Sequence, residues 1–174
     1  MPNDIQTVRA AIRGSDEAFL ELMTRYKTDL YKTALAYFKN ENDAIEAVQE
    51  VTFRAYRKIK TLKEPAYFKT WIIRIMINYC NDQLRKKKRF TSKPVEMETI
   101  QTNDSHIKME LEDAMQLLDD RSRELLMLKY FHELKIKEIA QVLNRPEGTI
   151  KTWLNKALQS LKQVLDEKEG NADV

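Results

Sequence analysis

Residues 135–162 read KIKEIAQVLNRPEGTIKTWLNKALQSLK, and the interpretation of the whole chain turns on them. Ile136, Ile139, Ala140, Val142 and Leu143 recur at helical spacing and give a first helix one apolar face. Asn144 follows as a stop, because asparagine tolerates the left-handed backbone on which helices often end. Pro146 suits a new helix start, where a missing backbone N–H costs little. Ile150, Leu154, Leu158, Leu161 and Leu165 then return every three or four residues. Thr149, Lys151, Thr152, Asn155 and Lys156 fall on the other side. Threonine, lysine and asparagine on the outward N-terminal half of a helix supply donors for phosphates and base edges in a DNA major groove. Gly148 allows a phosphate close to the helix N-terminus. The two helices read as a helix-turn-helix. An ordinary helical hairpin shares the pattern, so the rest of the chain has to choose.

Working outward, composition favours helices throughout. Among 174 residues there are only 3 glycines and 4 prolines, while 33% are charged. The chain is long enough for one large or two small domains with a buried core. Net charge is only +3, so basic character is local, in the unbroken run Arg85, Lys86, Lys87, Lys88 and Arg89. A single cysteine, Cys80, excludes an internal disulfide, and two histidines, His106 and His132, cannot build a Cys/His zinc site. The most apolar run, 71–77, is short and broken by Arg74, too little to span a bilayer. No secretory stretch opens the chain. The expectation is a soluble protein of the cytoplasm.

The pattern upstream is helical as well. Residues 5–13 form a short helix ending at Gly14, and Ser15 caps the next, with Asp16 and Glu17 in its first turn. Phe19, Leu22, Met23, Tyr26, Leu30, Ala34, Leu35 and Phe38 make its apolar stripe. After a break at 39–42, residues 43–58 form a third helix with a stripe of Ala44, Val48, Val51, Ala55 and Ile59. Phe53 lies opposite that stripe, among Glu46, Gln49, Glu50 and Arg57. A large aromatic on a polar face has the look of an interface anchor, though single exposed phenylalanines are common.

A loop at 60–65 carries Lys63 and leads through Pro65 into a fourth helix. Tyr67, Phe68, Trp71, Ile72, Ile75 and Tyr79 form its inner, aromatic-rich face. Lys69, Thr70, Arg74, Asn78, Asn81 and Arg85 form the other. Aromatics interleaved with Arg, Lys and Asn suit unstacked bases and backbone phosphates, while Trp71 and Tyr67 also fit as plain core. The run 85–89 following such a helix suits phosphates. Periodicity dissolves over 90–107, a polar linker. It returns at Met109, Leu111, Met115, Leu117 and Leu118, then at Leu125, Leu126, Leu128, Tyr130 and Phe131, before the helix-turn-helix. The expected fold is all-α: an N-terminal domain at 1–89, a linker at 90–107, and a four-helix C-terminal domain at 108–174 with a frayed acidic tail.

In this order and at this spacing the chain resembles the small, two-domain extracytoplasmic-function (ECF) sigma factors of bacteria, over about residues 15–165. NDAIEAVQEVTFRAYRKI (42–59) is similar to the helix with which they grip the polymerase clamp. FKTWIIRIMINYCNDQLRKKKR (68–89) is similar to their promoter-melting, −10-reading segment, and EIAQVLNRPEGTIKTWLNKALQSL (138–161) to their −35 reader. Departures are Asn144 where relatives usually have Gly, no Gly at His132–Glu133, and Trp153, Asn155 and Leu158 where basic or aromatic residues are common.

The resemblance implies an alternative sigma factor for stress-type promoters, with no catalytic residues and no cofactor. Its implied partners are core RNA polymerase (the β′ clamp and β flap), promoter DNA and an anti-sigma protein, in this group often membrane-bound. Asp43, Glu46, Gln49, Glu50, Phe53 and Arg57 become the polymerase-binding set. Lys63, Tyr67, Lys69, Trp71, Arg74, Asn78, Asn81 and the run 85–89 become the −10 set. Arg145, Glu147, Gly148, Thr149, Lys151, Thr152, Asn155 and Lys156 become the −35 set. The rival reading is a stand-alone helix-turn-helix regulator, dimeric and independent of polymerase. No acid/base pair, Ser/His/Asp set or phosphate loop supports an enzyme.

Overall fold

The computed structural model describes residues 2–90, 111 and 113–172. The chain divides into two compact units, Met1–Thr99 and Ile100–Val174. The expected linker at 90–107 lies outside the described residues except for Phe90, as does Met109. Among the described residues there are helices and turns and no strand.

Among its described residues the first unit has four helices: α1 (Pro2–Ile12), α2 (Asp16–Phe38), α3 (Glu41–Lys58) and α4 (Phe68–Phe90). Gly14 at φ +104° reverses the chain, a conformation that suits a residue without Cβ. The Ser15 side chain then accepts from Ala18 N–H at 3.2 Å and caps α2 as expected. Lys39 closes α2 in the left-handed region, its N–H donating to Leu35 O at 2.8 Å. Asn40 opens α3 by accepting from Asp43 N–H at 3.0 Å, so α3 starts two residues earlier than its stripe implied. Two 3-10 turns, Ile59–Thr61 and Pro65–Tyr67, deliver the chain to α4.

The core lies where α2, α3 and α4 meet. Leu22, Leu30 and Ala34 of α2 are buried there against Ala44, Ala47, Val51 and Ala55 of α3. Phe68, Ile72, Ile73, Met76, Ile77 and Cys80 close it from α4. Small alanines let α3 come close to its neighbours. Ala47 is fully buried and Val48 only half-buried, so the packing line of α3 runs slightly to one side of the expected stripe. Two further expectations are corrected. Thr70, expected outward, is buried, and Tyr67, expected inward, is 46% exposed. The cause is that α4 packs on both α2 and α3, so its buried arc is wider than a single stripe, and its phase begins only at Phe68, after the 3-10 turn.

In the second unit, residues 113–116 are helical, followed by α5 (Asp120–Leu126), a π-helical turn (Met127–Phe131), α6 (Ile136–Leu143) and α7 (Glu147–Ala172). Asp119 caps α5, accepting from Ser122 N–H at 3.0 Å and Ser122 Oγ–H at 2.6 Å. Leu125, Leu128, Leu134, Ile139, Val142, Ile150 and Ala157 form the core. Tyr130 and Phe131, part of the apolar pattern before the helix-turn-helix, are exposed on the π turn. Leu111 and Leu117 are also exposed. The acidic residues Asp166, Glu167 and Glu169, expected in a frayed tail, lie on the continuous helix α7.

Candidate functional site

Three surfaces carry the residues singled out in the sequence. The first is the outer face of α3. Phe53 is 55% exposed, with the Arg57 guanidinium 5.6 Å from its ring centroid. Glu46 and Gln49 are exposed beside it. Ile45 and Tyr56, absent from the expected set, widen the apolar part of this face. Their signal was in the sequence: each lies within about 80° of Phe53 on the helical wheel. Tyr56 is braced from behind, donating its hydroxyl to Asp16 Oδ1 at 2.9 Å and meeting Phe19 edge-on at 5.2 Å. The Asp16 hydrogen bond, more than its charge, raises the Tyr56 pKa.

Two members of that set have other partners. Glu50 is half-buried and pairs at 2.7 Å with Arg54, whose guanidinium lies 5.0 Å from the Tyr79 ring in α4. Burial raises the Tyr79 pKa, and the Glu46 and Glu50 carboxylates push it the same way. Asp43 forms an ion pair with Lys87 of α4. The structure therefore groups Glu46, Gln49, Phe53 and Arg57 on one open face and turns Glu50 and Asp43 toward α4.

The second surface is the outer line of α4. At about 100° per residue, Trp71, Arg74, Asn78, Asn81 and Arg85 fall within about 40° of a line opposite Met76, a strip about 21 Å long. Arg74, Asn78 and Arg85 are exposed, Asn81 and Trp71 half-buried. Trp71 rests against buried Phe68 with ring centroids 5.7 Å apart, so one part of its indole is core and another is open. Tyr67 precedes the strip and is exposed, as is Lys63 in the loop before it. Lys69 lies off this line, toward the packed side, and is half-buried. Arg85 pairs with Asp82 one turn earlier. Lys86, Lys88 and Arg89 are exposed.

The third surface is the N-terminal half of α7. Asn144 ends α6 at φ 52°, ψ 54°, and Arg145 N–H returns to Ala140 O at 3.0 Å. Glu138 locks the other end of α6, accepting from Lys135 N–H at 2.7 Å. Pro146 caps α7 through its carbonyl, which accepts from Ile150 N–H at 3.1 Å, and sits one residue ahead of the helix. Arg145, Glu147, Gly148, Lys151, Thr152, Asn155 and Lys156 are exposed, and Thr149 is half-buried. Nothing lies within 4 Å of a Cβ built on Gly148, so the helix start is open to a ligand. Thr152 donates its hydroxyl to Gly148 O at 3.1 Å, leaving its oxygen lone pairs outward. Gln159, exposed one turn beyond Asn155, extends this face and was missed. Trp153 is half-buried beneath Arg121 of α5, whose guanidinium lies 4.1 Å from its ring centroid. It belongs to packing.

A strip of aromatics, amides and cations and a helix-turn-helix with an open N-terminus are chemically suited to contact with nucleic acid. Comparison with known proteins agrees. Residues 22–90 match sigma-70 region 2 and residues 108–161 match sigma-70 region 4. The chain is 30% identical over 152 residues to the RNA polymerase sigma factor SigV of Bacillus subtilis, covering 84% of this chain and 90% of that one. It is 28% identical over 176 residues to the ECF sigma factor SigW of the same organism, covering 91% and 94%. Among solved structures, CnrH in complex with the cytosolic domain of CnrY matches with a TM-score of 0.71 at 23% identity, over 94% of this chain and 97% of that one. The sigma factor RpoE of Bartonella quintana, bound to the anti-sigma factor NepR, matches with a TM-score of 0.71 at 20% identity, over 85% and 96%. These two share its helical fold.

The chain belongs to the sigma-70 family of RNA polymerase sigma factors, and within it to the ECF group. It is an alternative sigma factor, directing RNA polymerase to promoters. Among the described residues, no helix is long and apolar enough to cross a membrane.

Proposed function

We propose that the three surfaces divide the work of initiation. The exposed face of α3, centred on Phe53 with Glu46, Gln49, Arg57, Ile45 and Tyr56, docks on core polymerase. The outer strip of α4 holds the opened −10 strand. Tyr67 and Trp71 offer stacking surfaces, Lys63, Arg74, Asn78 and Asn81 contact bases and sugars, and Arg85, Lys86, Lys88 and Arg89 follow phosphates. The open end of α7 reads the −35 duplex: Arg145, Lys151 and Lys156 on phosphates, Thr149, Thr152, Asn155 and Gln159 toward bases.

The observation that carries this reading is the exposure of Phe53 on α3, one helix away from a cationic strip that shares the same core. Extruding a base costs a few kcal/mol, and stacking on aromatics at about 1–3 kcal/mol per base offsets it. As a member of the sigma family the subunit is read as contributing binding energy and no catalysis, and as working in the cytoplasm beside its polymerase. An anti-sigma protein is the proposed regulator, as NepR is named for RpoE.

Run-off transcription with purified core polymerase on a genomic promoter pool tests the assignment. Start-site selection by the full chain is the expected result. Specific duplex binding by a dimer without polymerase would instead support the stand-alone regulator.

A further inference from the structure

The basic run at the end of α4 does not point one way. Arg85 and Arg89 lie on the outer line, and Lys88 flanks it. Lys87 turns about 160° from Arg85. There its ammonium pairs with the Asp43 carboxylate of α3 and sits 5.5 Å from the centroid of the Phe38 ring. Phe38 is the last residue of α2 and Asp43 lies in the first turn of α3. Phe38 also meets Tyr79 of α4 edge-on at 6.4 Å. Asp43 is held in turn, its N–H donating to Asn40 at 3.0 Å.

Beyond Cys80 no residue of α4 is buried. The last turns of a helix without buried contacts fray, and their side chains lose a fixed direction. Lys87 ties such a turn back to the α2–α3 corner. A half-exposed pair of this kind adds little to global stability, so its effect is directional.

We infer that Lys87 is a positioning residue and not a phosphate ligand: with Asp43 it sets the angle at which α4 presents Arg85, Lys88 and Arg89 to promoter DNA. The inference rests on the reading of α4 as the DNA-facing helix. It also removes Asp43 from the polymerase contact and gives it a role inside the protein.

Holoenzyme reconstituted from the full chain and core polymerase provides the test, with promoter affinity followed across a salt series and opening followed by permanganate reactivity. Arg85→Ala and Arg89→Ala each lower the salt slope by about one. Lys87→Met leaves the slope unchanged but reduces opening several-fold. Asp43→Asn reduces opening to the same degree with core affinity unchanged, and the double variant is no worse than either single one. The exchanged pair Lys87→Asp/Asp43→Lys recovers opening, which a misfolded chain could not do. A slope lowered by about one in Lys87→Met overturns the inference, as does intact opening or weakened core binding in Asp43→Asn. If Arg85→Ala and Arg89→Ala also leave the slope unmoved, the placement of α4 on DNA fails and the inference falls with it.

Discussion

The guanidinium of Arg121, in the first turn of α5, lies 4.1 Å from the centroid of the Trp153 ring on α7. This contact ties the scaffold of the second unit to the helix proposed to enter the major groove. Arg121→Ala should destabilise the second unit by about 0.5–1 kcal/mol, the range for a partly exposed cation–π contact. Urea unfolding measures the loss. The order of preferred promoter sequences should not change.

Phe53 makes the opposite kind of contribution. Its ring is exposed in the free protein, so removing it costs little folding energy. Phe53→Ala should weaken association with core polymerase by about 2 kcal/mol, roughly 30-fold, as for a central interface anchor. A binding titration with purified core enzyme, set beside a thermal melt of the same variant, separates docking from folding. Retained affinity would refute the assignment of this face.

On α7, amide and cation should behave differently. Lys156→Ala should weaken binding to all promoters alike and lower the salt slope by about one. Asn155→Ala should instead change which sequence is preferred. Selection from a randomised −35 library reads both outcomes, and an unshifted preference would remove Asn155 from the base-reading set.

Asp119 sets an acid limit on the second unit. Hydrogen bonds from the Ser122 hydroxyl and Ser122 N–H hold its carboxyl below the ordinary 3.8. A folded-state pKa below the unfolded one gives stability that is present above about pH 4 and is lost as pH falls through the lower, folded value. Asp119→Ala should cost about 1 kcal/mol at neutral pH, as for a lost N-cap. The gap from the parent chain should close as the pH drops below about 4. Urea melts at a series of pH values give the curve.

Glu133 and Asn144 both sit at positive φ, 55° and 52°. Left-handed backbone costs an ordinary L-residue about 1–2 kcal/mol, and asparagine less. Glu133→Gly should therefore stabilise the second unit by about 0.5–1 kcal/mol after the entropy cost of glycine. Asn144→Ala should destabilise it by about 1 kcal/mol, while Asn144→Gly should be close to neutral. Thermal melts rank the three.

Local signals were strong enough to read the helices, their caps and the helix-turn-helix directly. Ser15, Gly14 and Asn144 act within a few residues of their own position, through backbone conformations and hydrogen bonds that no distant partner needs to supply. The outward placement of Phe53 and of Arg74, Asn78, Asn81 and Arg85 on α4 also followed from 3.6-residue periodicity, whereas Lys69 and Thr70, expected beside them, turn inward and Trp71, expected inside, lies on the outer line. Family membership came from order and spacing, both properties of the chain. Tertiary structure decided what periodicity cannot encode. One helix packed on two others buries an arc, which took Thr70 inside and left Tyr67 out. Tyr130 and Phe131, apolar in pattern, lie exposed on the π turn at 127–131. The partners of Lys87 and Trp153 lie on other helices, up to 44 residues away along the chain for Lys87. A residue's direction on a helix is local, whereas what it meets there depends on how the helices are brought together.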